Sequence, residues 1–287
     1  GNWLKAQSAL LAHGLAFPAI APDLFGELLH RREGAYRLTL WLPGQTPPAG
    51  QTEAAFLAGR FLGQCHQALN SPLPLIGLEP LPRGFEFTNQ KLTVQEDFDE
   101  IFAYYRRHPN LTKLAPTIGR AGQAARRLPR RPAFTRVFLA RDLVVHADPK
   151  RENFLTDGQS VALVDWDTVG YGDPLIDLGE MCRSFATVKT KSSFELSLAM
   201  AAVRGYEETG LDLAGQIPLL LPAVIRALAL RLVRRYLVDA LAEVYFSWDQ
   251  SRFESLFAQN EARALALLGL AEELEDREME ISRAFSS

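Results

Sequence analysis

Leu143-Val144-Val145-His146-Ala147-Asp148-Pro149-Lys150-Arg151-Glu152-Asn153 opens the most informative stretch of the chain, and Val161-Ala162-Leu163-Val164-Asp165-Trp166-Asp167 closes it. Both begin as short apolar, β-rich runs, and Asp157-Gly158 supplies a turn between them. The first run delivers His146 and then a loop bearing Asp148, Lys150 and Asn153. The second, read as its neighbour in a sheet, ends on Asp165 and Asp167. Charged side chains at the mouths of apolar strands are costly to bury unless a metal or a partner compensates them. Carboxylates and an amide brought to one end of a sheet offer an all-oxygen nest that suits Mg²⁺ rather than zinc.

Outward from this stretch, the chain changes character on both sides. Beyond Gly172-Asp173-Pro174 it reads as almost purely helical to the end, and Ser251-x-x-Glu254 has the form of a capping box opening a long helix through Leu274. Upstream, Trp3, Leu4, Leu10 and Leu11 recur at helical spacing and stop near Gly14. Glu27–His30 and Tyr36–Leu42 read as two strands joined at Arg32-Glu33-Gly34, and Pro43-Gly44-Gln45 with Pro47-Pro48 reads as a hinge. Residues Thr52–Leu69 carry a helical apolar pattern, 72–83 a loop, and Phe98–Tyr105 the start of more helix. The expected organisation is a small segment over 1–47 and a large helical one over 48–287.

Composition narrows the class of protein. An apolar fraction of 47% is ample for a packed core, which excludes disordered and fibrous chains. Thirty-one basic residues against 34 acidic ones leave a net charge of −3, which argues against a nucleic-acid partner. The cluster Arg120, Arg126, Arg127, Arg130 and Arg131 therefore reads as a solvated helix face. Two cysteines, Cys65 and Cys182, are too few for a disulfide framework or a structural zinc site and fit a reducing, cytoplasmic setting. The start lacks the pattern of a signal peptide, and the apolar region Ile217–Val233 is interrupted by Pro218, Pro222, Arg226 and Arg231. A membrane span needs about 20 apolar residues, so this region reads as a buried helix and no membrane partner is expected.

His146-x-Asp148-x-Lys150-x-x-Asn153 resembles the catalytic loop of protein kinases, with Asp165-Trp166-Asp167 standing where Asp-Phe-Gly would. The following Gly172-Asp173-Pro174-x-x-Asp177-Leu178 is similar to the aminoglycoside phosphotransferase and choline kinase superfamily. Finer detail (Asp177-Leu178-Gly179-Glu180, Arg235-Tyr236-Leu237-x-Asp239, Tyr245-Phe246 and Asn260-x-x-Arg263) resembles the anomeric N-acetylhexosamine kinases. The resemblance implies an α+β, protein-kinase-like two-lobed fold with a truncated N-lobe and a mainly helical C-lobe. It implies a phosphotransferase using ATP and Mg²⁺ on a hydroxyl of a sugar, amino sugar or similar small molecule.

It also implies roles for individual residues. Asp148 orients the acceptor hydroxyl and takes its proton, and Lys150 reaches the transferring phosphate as a mobile charge. Asn153 and Asp165 hold Mg²⁺, with Asp167 a second metal contact or a loop cap. Trp41 and Leu42, beside Pro43, lie near the adenine. His146 reads as hydrogen-bonded scaffold, Trp166 as core, and Asp173 and Asp177 as helix caps and loop anchors.

Part of the kinase pattern is not legible. The ATP-binding strands would carry a glycine-rich turn and a lysine, whereas before residue 47 only Lys5 is present, and it reads as solvent-facing on a helix. Either the sequence begins inside a longer chain, which the opening Gly1 favours, or the clamping strands are lost and the chain is a degenerate kinase-like binding module. A separate reading of Asp165-Trp166-Asp167-Thr168-Val169 is the Asp-x-Asp signature of Mg²⁺-dependent haloacid-dehalogenase-like phosphatases, with Asp165 as nucleophile and Asp167 as acid-base. That fold requires alternating strands and helices downstream.

Overall fold

A computed structural model describes residues 2–22, 26–28, 30–31, 35–71, 78, 94–140, 142–188, 193–213 and 215–286. The chain opens with helix α1 (Asn2–Ala12), strands β1 (Ile20–Ala21), β2 (His30–Arg31), β3 (Ala35–Tyr36) and β4 (Leu38–Thr39), and helix α2 (Thr52–Leu69). Helices α3 (Val94–Tyr104), α4 (Leu111–Arg126) and α5 (Pro132–Leu139) follow. Strands β5 (Leu143–Val145), β6 (Phe154–Thr156), β7 (Val161–Leu163) and β8 (Gly170–Gly172) form the middle of the chain. Helix α6 (Pro174–Ala186), strands β9 (Thr187–Val188) and β10 (Ser193–Phe194), and helices α7 (Leu196–Thr209), α8 (Ile217–Ala242), α9 (Leu256–Asp276) and α10 (Glu278–Ala284) complete it.

The packing divides into two compact units. The first draws on residues 1–88, 140–185 and 197–213. Within it, α1 buries Trp3, Ala6 and Leu10 on one face and turns out of the helix at Gly14, whose φ of +70° suits glycine. Lys5 is half-buried on this helix rather than turned fully to solvent. The expected hairpin is only partly as read. His30–Arg31 pairs with Ala35–Tyr36, but Leu38–Thr39 turns away to pair with Ile20–Ala21. Pro18 and Pro22 flank β1 and masked it, since proline weakens a strand reading. The Arg32-Glu33-Gly34 turn and residues 72–77 and 79–83 of the expected loop lie outside the described residues.

Helix α2 has the predicted bounds, and its buried stripe includes Ala58, Leu62, Cys65, His66 and Leu69. It crosses α7 at very short range, because both helices carry glycine there. A Cβ on Gly59 would lie 2.0 Å from the Ala202 carbonyl oxygen, and one on Gly205 would lie 2.0 Å from that of Phe56. Backbone cannot yield as a flexible side chain can, so Gly205→Ala is expected to destabilise the protein by about 3 kcal/mol. The measurement is a urea midpoint, where an unchanged value would show that the two helices can separate freely.

The second unit draws on residues 89–139, 186–196 and 214–287. Its centre is α8, apolar nearly all round and therefore buried on most sides. Pro218 sits in its first turn, where a missing N–H is tolerated, whereas Pro222 lies inside the helix and leaves the Pro218 carbonyl without its i+4 donor, a place taken by the Ser282 hydroxyl at 2.5 Å. Arg226 is buried on this helix, and its guanidinium donates to Glu278 (3.2 Å) and to the Arg127 carbonyl (2.6 Å). The basic cluster is a largely exposed face, as read, whose arginines also find partners: Arg120 pairs with Glu272, Arg127 with Glu275, and Arg131 donates to the Leu219 carbonyl.

Helix α9 starts later than the capping-box pattern suggests. Ser255, not Ser251, caps it, accepting from the Ala258 N–H at 3.1 Å. Asp249 instead captures both the N–H and the hydroxyl of Ser251 in a local turn. Buried Asp239 closes α8 by accepting from the Val244, Tyr245 and Phe246 N–H groups and from Asn260 Nδ2. Burial opposes the charge of this carboxylate, but the four donors win and hold its pKa below the ordinary range. A depressed carboxylate stabilises the fold above its unfolded pKa, and that contribution is lost as pH falls through the folded one. Asp239→Asn should therefore lower the unfolding midpoint at pH 7, with the gap to the parent narrowing in acid.

Candidate active site

The two apolar runs around the charged loop do not pair with each other. β5 pairs antiparallel with β8, and β6, which the sequence reading left out, pairs with β7. Asp157 makes the β6–β7 turn, accepting from the Gln159 and Ser160 N–H groups. The register Phe154↔Leu163 extends one step further, where the Val164 N–H donates to the Asn153 carbonyl at 2.9 Å. Asn153 and Asp165 therefore come together at one end of the β6–β7 hairpin. The hinge is tied to the same hairpin: Gln45 and Thr156 exchange backbone hydrogen bonds at 3.0 and 2.9 Å, and Arg151 donates to the Pro47 carbonyl at 2.7 Å.

Asp148, Lys150 and Asn153 converge on one loop. The Lys150 ammonium donates to Asp148 Oδ2. Asn153 Nδ2 donates to the Asp148 carbonyl at 2.9 Å and to its Oδ2 at 3.3 Å. Burial pushes the Asp148 carboxyl above the ordinary carboxylate range, and Lys150 offsets only part of that. Burial also works against the Lys150 charge, but the bond to Asp148 outweighs it and raises the lysine pKa. The arrangement is a carboxylate held partly out of water, with a cation at its side.

The loop is held from beneath by groups of which the sequence reading picked out only some. His146 is wholly buried. Its Nε2 donates to the Val164 carbonyl at 3.0 Å and its Nδ1 accepts from the Asp148 N–H at 3.2 Å, which defines a neutral ring with the proton on Nε2. Burial lowers its pKa to about 4, in keeping with that tautomer. Asp177, in the first turn of α6, accepts from the His146 N–H (2.7 Å) and the Ala147 N–H (2.8 Å), steadying Ala147 at a φ of +71°. His66 on α2 bridges Asp177 at 3.0 Å and the Tyr206 hydroxyl at 2.9 Å. Asn70 pairs both backbone groups of Val144, at 2.9 and 2.7 Å, as a neighbouring strand would. A lone histidine or asparagine on an apolar helix gives no signal of such partners in sequence.

Asp165 stands at the hairpin end with a left-handed φ of +64° and is exposed. Among the described residues its carboxylate makes no hydrogen bond or ion pair. Asp167 does not join it, pairing instead with Arg37. Trp166 is fully buried and donates from Nε1 to the Leu163 carbonyl at 2.7 Å, while its ring meets His146 and Phe17. Asp173 caps α6 by accepting from the Leu175 N–H at 2.9 Å. Trp41 is 89% exposed and Leu42 is half-buried, both just ahead of the tethered hinge. Among the described residues downstream of β8 come helices α6 to α10 and the short β9–β10 pair, not the strand–helix alternation that a dehalogenase-like phosphatase needs, so that reading is set aside.

A loop carrying Asp-x-Lys-x-x-Asn, an acidic hairpin end beside it and a helical remainder together define a phosphotransferase with the α+β, protein-kinase-like fold. The chain belongs to the phosphotransferase enzyme family, whose model matches residues 2–215, and its class is that of phosphotransferases with an alcohol group as acceptor. Among solved structures, an aminoglycoside phosphotransferase from Alicyclobacillus acidocaldarius is similar at TM-score 0.63 and 16% identity, over 97% of this chain and 82% of that one. A microcompartment-associated aminopropanol kinase is similar at TM-score 0.57 and 14% identity, over 96% and 82%. The amicoumacin kinase hAmiN, solved with AMP-PNP, Ca²⁺ and Ami, is similar at TM-score 0.55 and 13% identity, over 96% and 77%. At these identities the likeness is one of fold. No curated protein matches the sequence. No helix among the described residues is long and apolar enough to cross a membrane.

Proposed function

We propose that the protein is an ATP- and Mg²⁺-dependent small-molecule kinase that moves the γ-phosphate of ATP to a hydroxyl of a sugar, an amino sugar or a similar polar metabolite. The observation that carries this reading is the convergence of Asp148, Lys150 and Asn153 on one loop, with Asp165 at the adjoining hairpin end. In such transfers the protein mainly positions reactants and balances charge. Asp148 orients the acceptor hydroxyl and takes its proton as the new O–P bond forms. Lys150, held beside it, meets the negative charge of the phosphoryl group in transit. His146 and Asp177 fix the loop and take no part in proton transfer. Trp41 and Leu42 border the adenine, residues 1–47 serve as the small lobe and residues 48–287 as the large one.

The donor set fits Mg²⁺. Asp165 offers a carboxylate with no partner among the described residues, and Asn153 turns its amide nitrogen to Asp148, which leaves its carbonyl oxygen as a ligand. Magnesium is typically held by one or two such oxygens together with phosphates and water. When bound, it would neutralise phosphate charge. Asp165→Ala should weaken Mg²⁺-dependent nucleotide binding at least about 100-fold, since even outer-sphere partners of a metal matter by 10–100-fold. Calorimetry with and without Mg²⁺ measures this.

The reading as a whole is tested by a panel of sugars, amino sugars and amino alcohols presented with Mg·ATP while ADP release is followed. ADP release that requires one of these acceptors is the expected result. Binding of Mg·ATP with no transfer to any acceptor would favour a degenerate binding module, and no binding at all would overturn the kinase reading.

A further inference from the structure

Arg37 lies between β3 and β4, far in sequence from the charged loop, yet its guanidinium rests against the Asp165-Trp166-Asp167 turn. One Nη pairs with Asp167, and the planar group stacks over the Trp3 ring at 3.8 Å from its centroid. Trp3 is held in turn by Phe17, and Phe17 by Trp166, with centroids 5.4 Å apart in both pairs. The arginine is thus aimed by an aromatic ladder that ends inside the motif itself.

The ion pair between Arg37 and Asp167 adds little to stability. The side chains of Arg37 and Asp167 are 33% and 45% exposed, and ion pairs at such exposure contribute about 0–1 kcal/mol. A guanidinium has five N–H donors in a fixed fork, and this one spends a single nitrogen on Asp167. The charges around the motif show a pattern. Lys150 is held by Asp148 and Arg37 by Asp167, while Asp165 has no partner among the described residues. Two part-exposed cations, each kept in place by its own carboxylate, are thereby held on the charged loop and against the turn that carries Asp165, the acid of this motif with no partner among the described residues. A nucleotide tail brings more negative charge than one divalent cation balances, and the planar fork of a guanidinium can meet two phosphate oxygens at once.

We propose that Arg37 is a nucleotide-binding residue that grips the phosphate chain, with Trp3 and Asp167 as the groups that aim it. The proposal rests on the kinase reading above and adds to it the source of the second cation. It assigns Asp167 to Arg37 rather than to the metal.

The test compares wild type, Arg37→Gln and Arg37→Lys by calorimetry with Mg·ADP, a non-hydrolysable Mg·ATP analogue and adenosine. Arg37→Gln should weaken both phosphate-bearing ligands at least about tenfold while adenosine stays within about twofold. Arg37→Lys, which keeps a point charge and loses the fork, should fall between them. Equal weakening of all three ligands would mark Arg37 as merely structural and overturn the proposal, as would unchanged affinity for Mg·ADP. If Arg37→Gln does not fold, the Arg37→Lys comparison decides by the same criterion of selective phosphate loss. A wild type that binds none of the three ligands would instead overturn the kinase reading itself.

Discussion

Asp148→Asn is expected to lower kcat about a thousandfold, within the range usual for loss of a general base, and to leave the far-ultraviolet circular dichroism unchanged. The substitution keeps the shape of the side chain and removes its capacity to take a proton and to pair with Lys150. Stability should not suffer. Burial raises the folded pKa of Asp148 above its unfolded value, so ionisation works against the fold. The favourable contribution of this group is full below the unfolded pKa and is lost as pH rises through the folded one. At pH 7 the neutral amide therefore costs nothing on that account. The same shift predicts the pH profile: kcat/KM falls on the acid side at a pH above that of an ordinary carboxylate, about 3.9. Lys150→Met, which removes the nearby cation, moves this limb further up. Near-normal turnover in Asp148→Asn would remove Asp148 from the role of base.

Asp177→Ala is expected to be the most damaging single change to the fold around the site. Its carboxyl group is fully buried and holds the His146 N–H, the Ala147 N–H and His66 Nε2. Its removal strands two buried polar groups and one part-buried N–H, and withdraws support from a left-handed alanine. The expected loss is about 3–5 kcal/mol, the cost typical of breaking a buried polar pair from one side. Denaturant unfolding measures it, and hydrogen exchange should show early loss of protection at residues 146–148. Tyr206→Phe, which leaves the His66–Asp177 contact in place, should cost only about 1 kcal/mol. Equal effects from the two variants would mean that the loop is held by something other than Asp177.

The helices were legible because their apolar spacing is a local property. Asn2–Ala12 and Thr52–Leu69 repeat at the period that one buried face requires, and the helix from Ile217 stands out as a long apolar run buried on most sides. Ser251 misled because a capping pattern records only possible partners, and the nearer Asp249 took the hydroxyl. Short strands were harder to read. Runs of two or three residues carry too little alternation to reveal their partners, and β6 was invisible beside the polar loop that precedes it.

The order Asp148, Lys150, Asn153, Asp165 was open to reading from sequence alone, because its residue types and spacing resemble the catalytic loop of kinases and the acidic turn that follows it. Their assembly was not. The register of β6 against β7 brings Asn153 to Asp165, Asp177 and His66 arrive from two helices, and Arg37 crosses from the first strands to take Asp167. Two of these contacts, His66 to Asp177 and Arg37 to Asp167, join residues more than a hundred positions apart, and nothing in local spacing encodes them. They exist only once helices and hairpins have packed, since burial removes the competing water and leaves each polar group the one partner within reach.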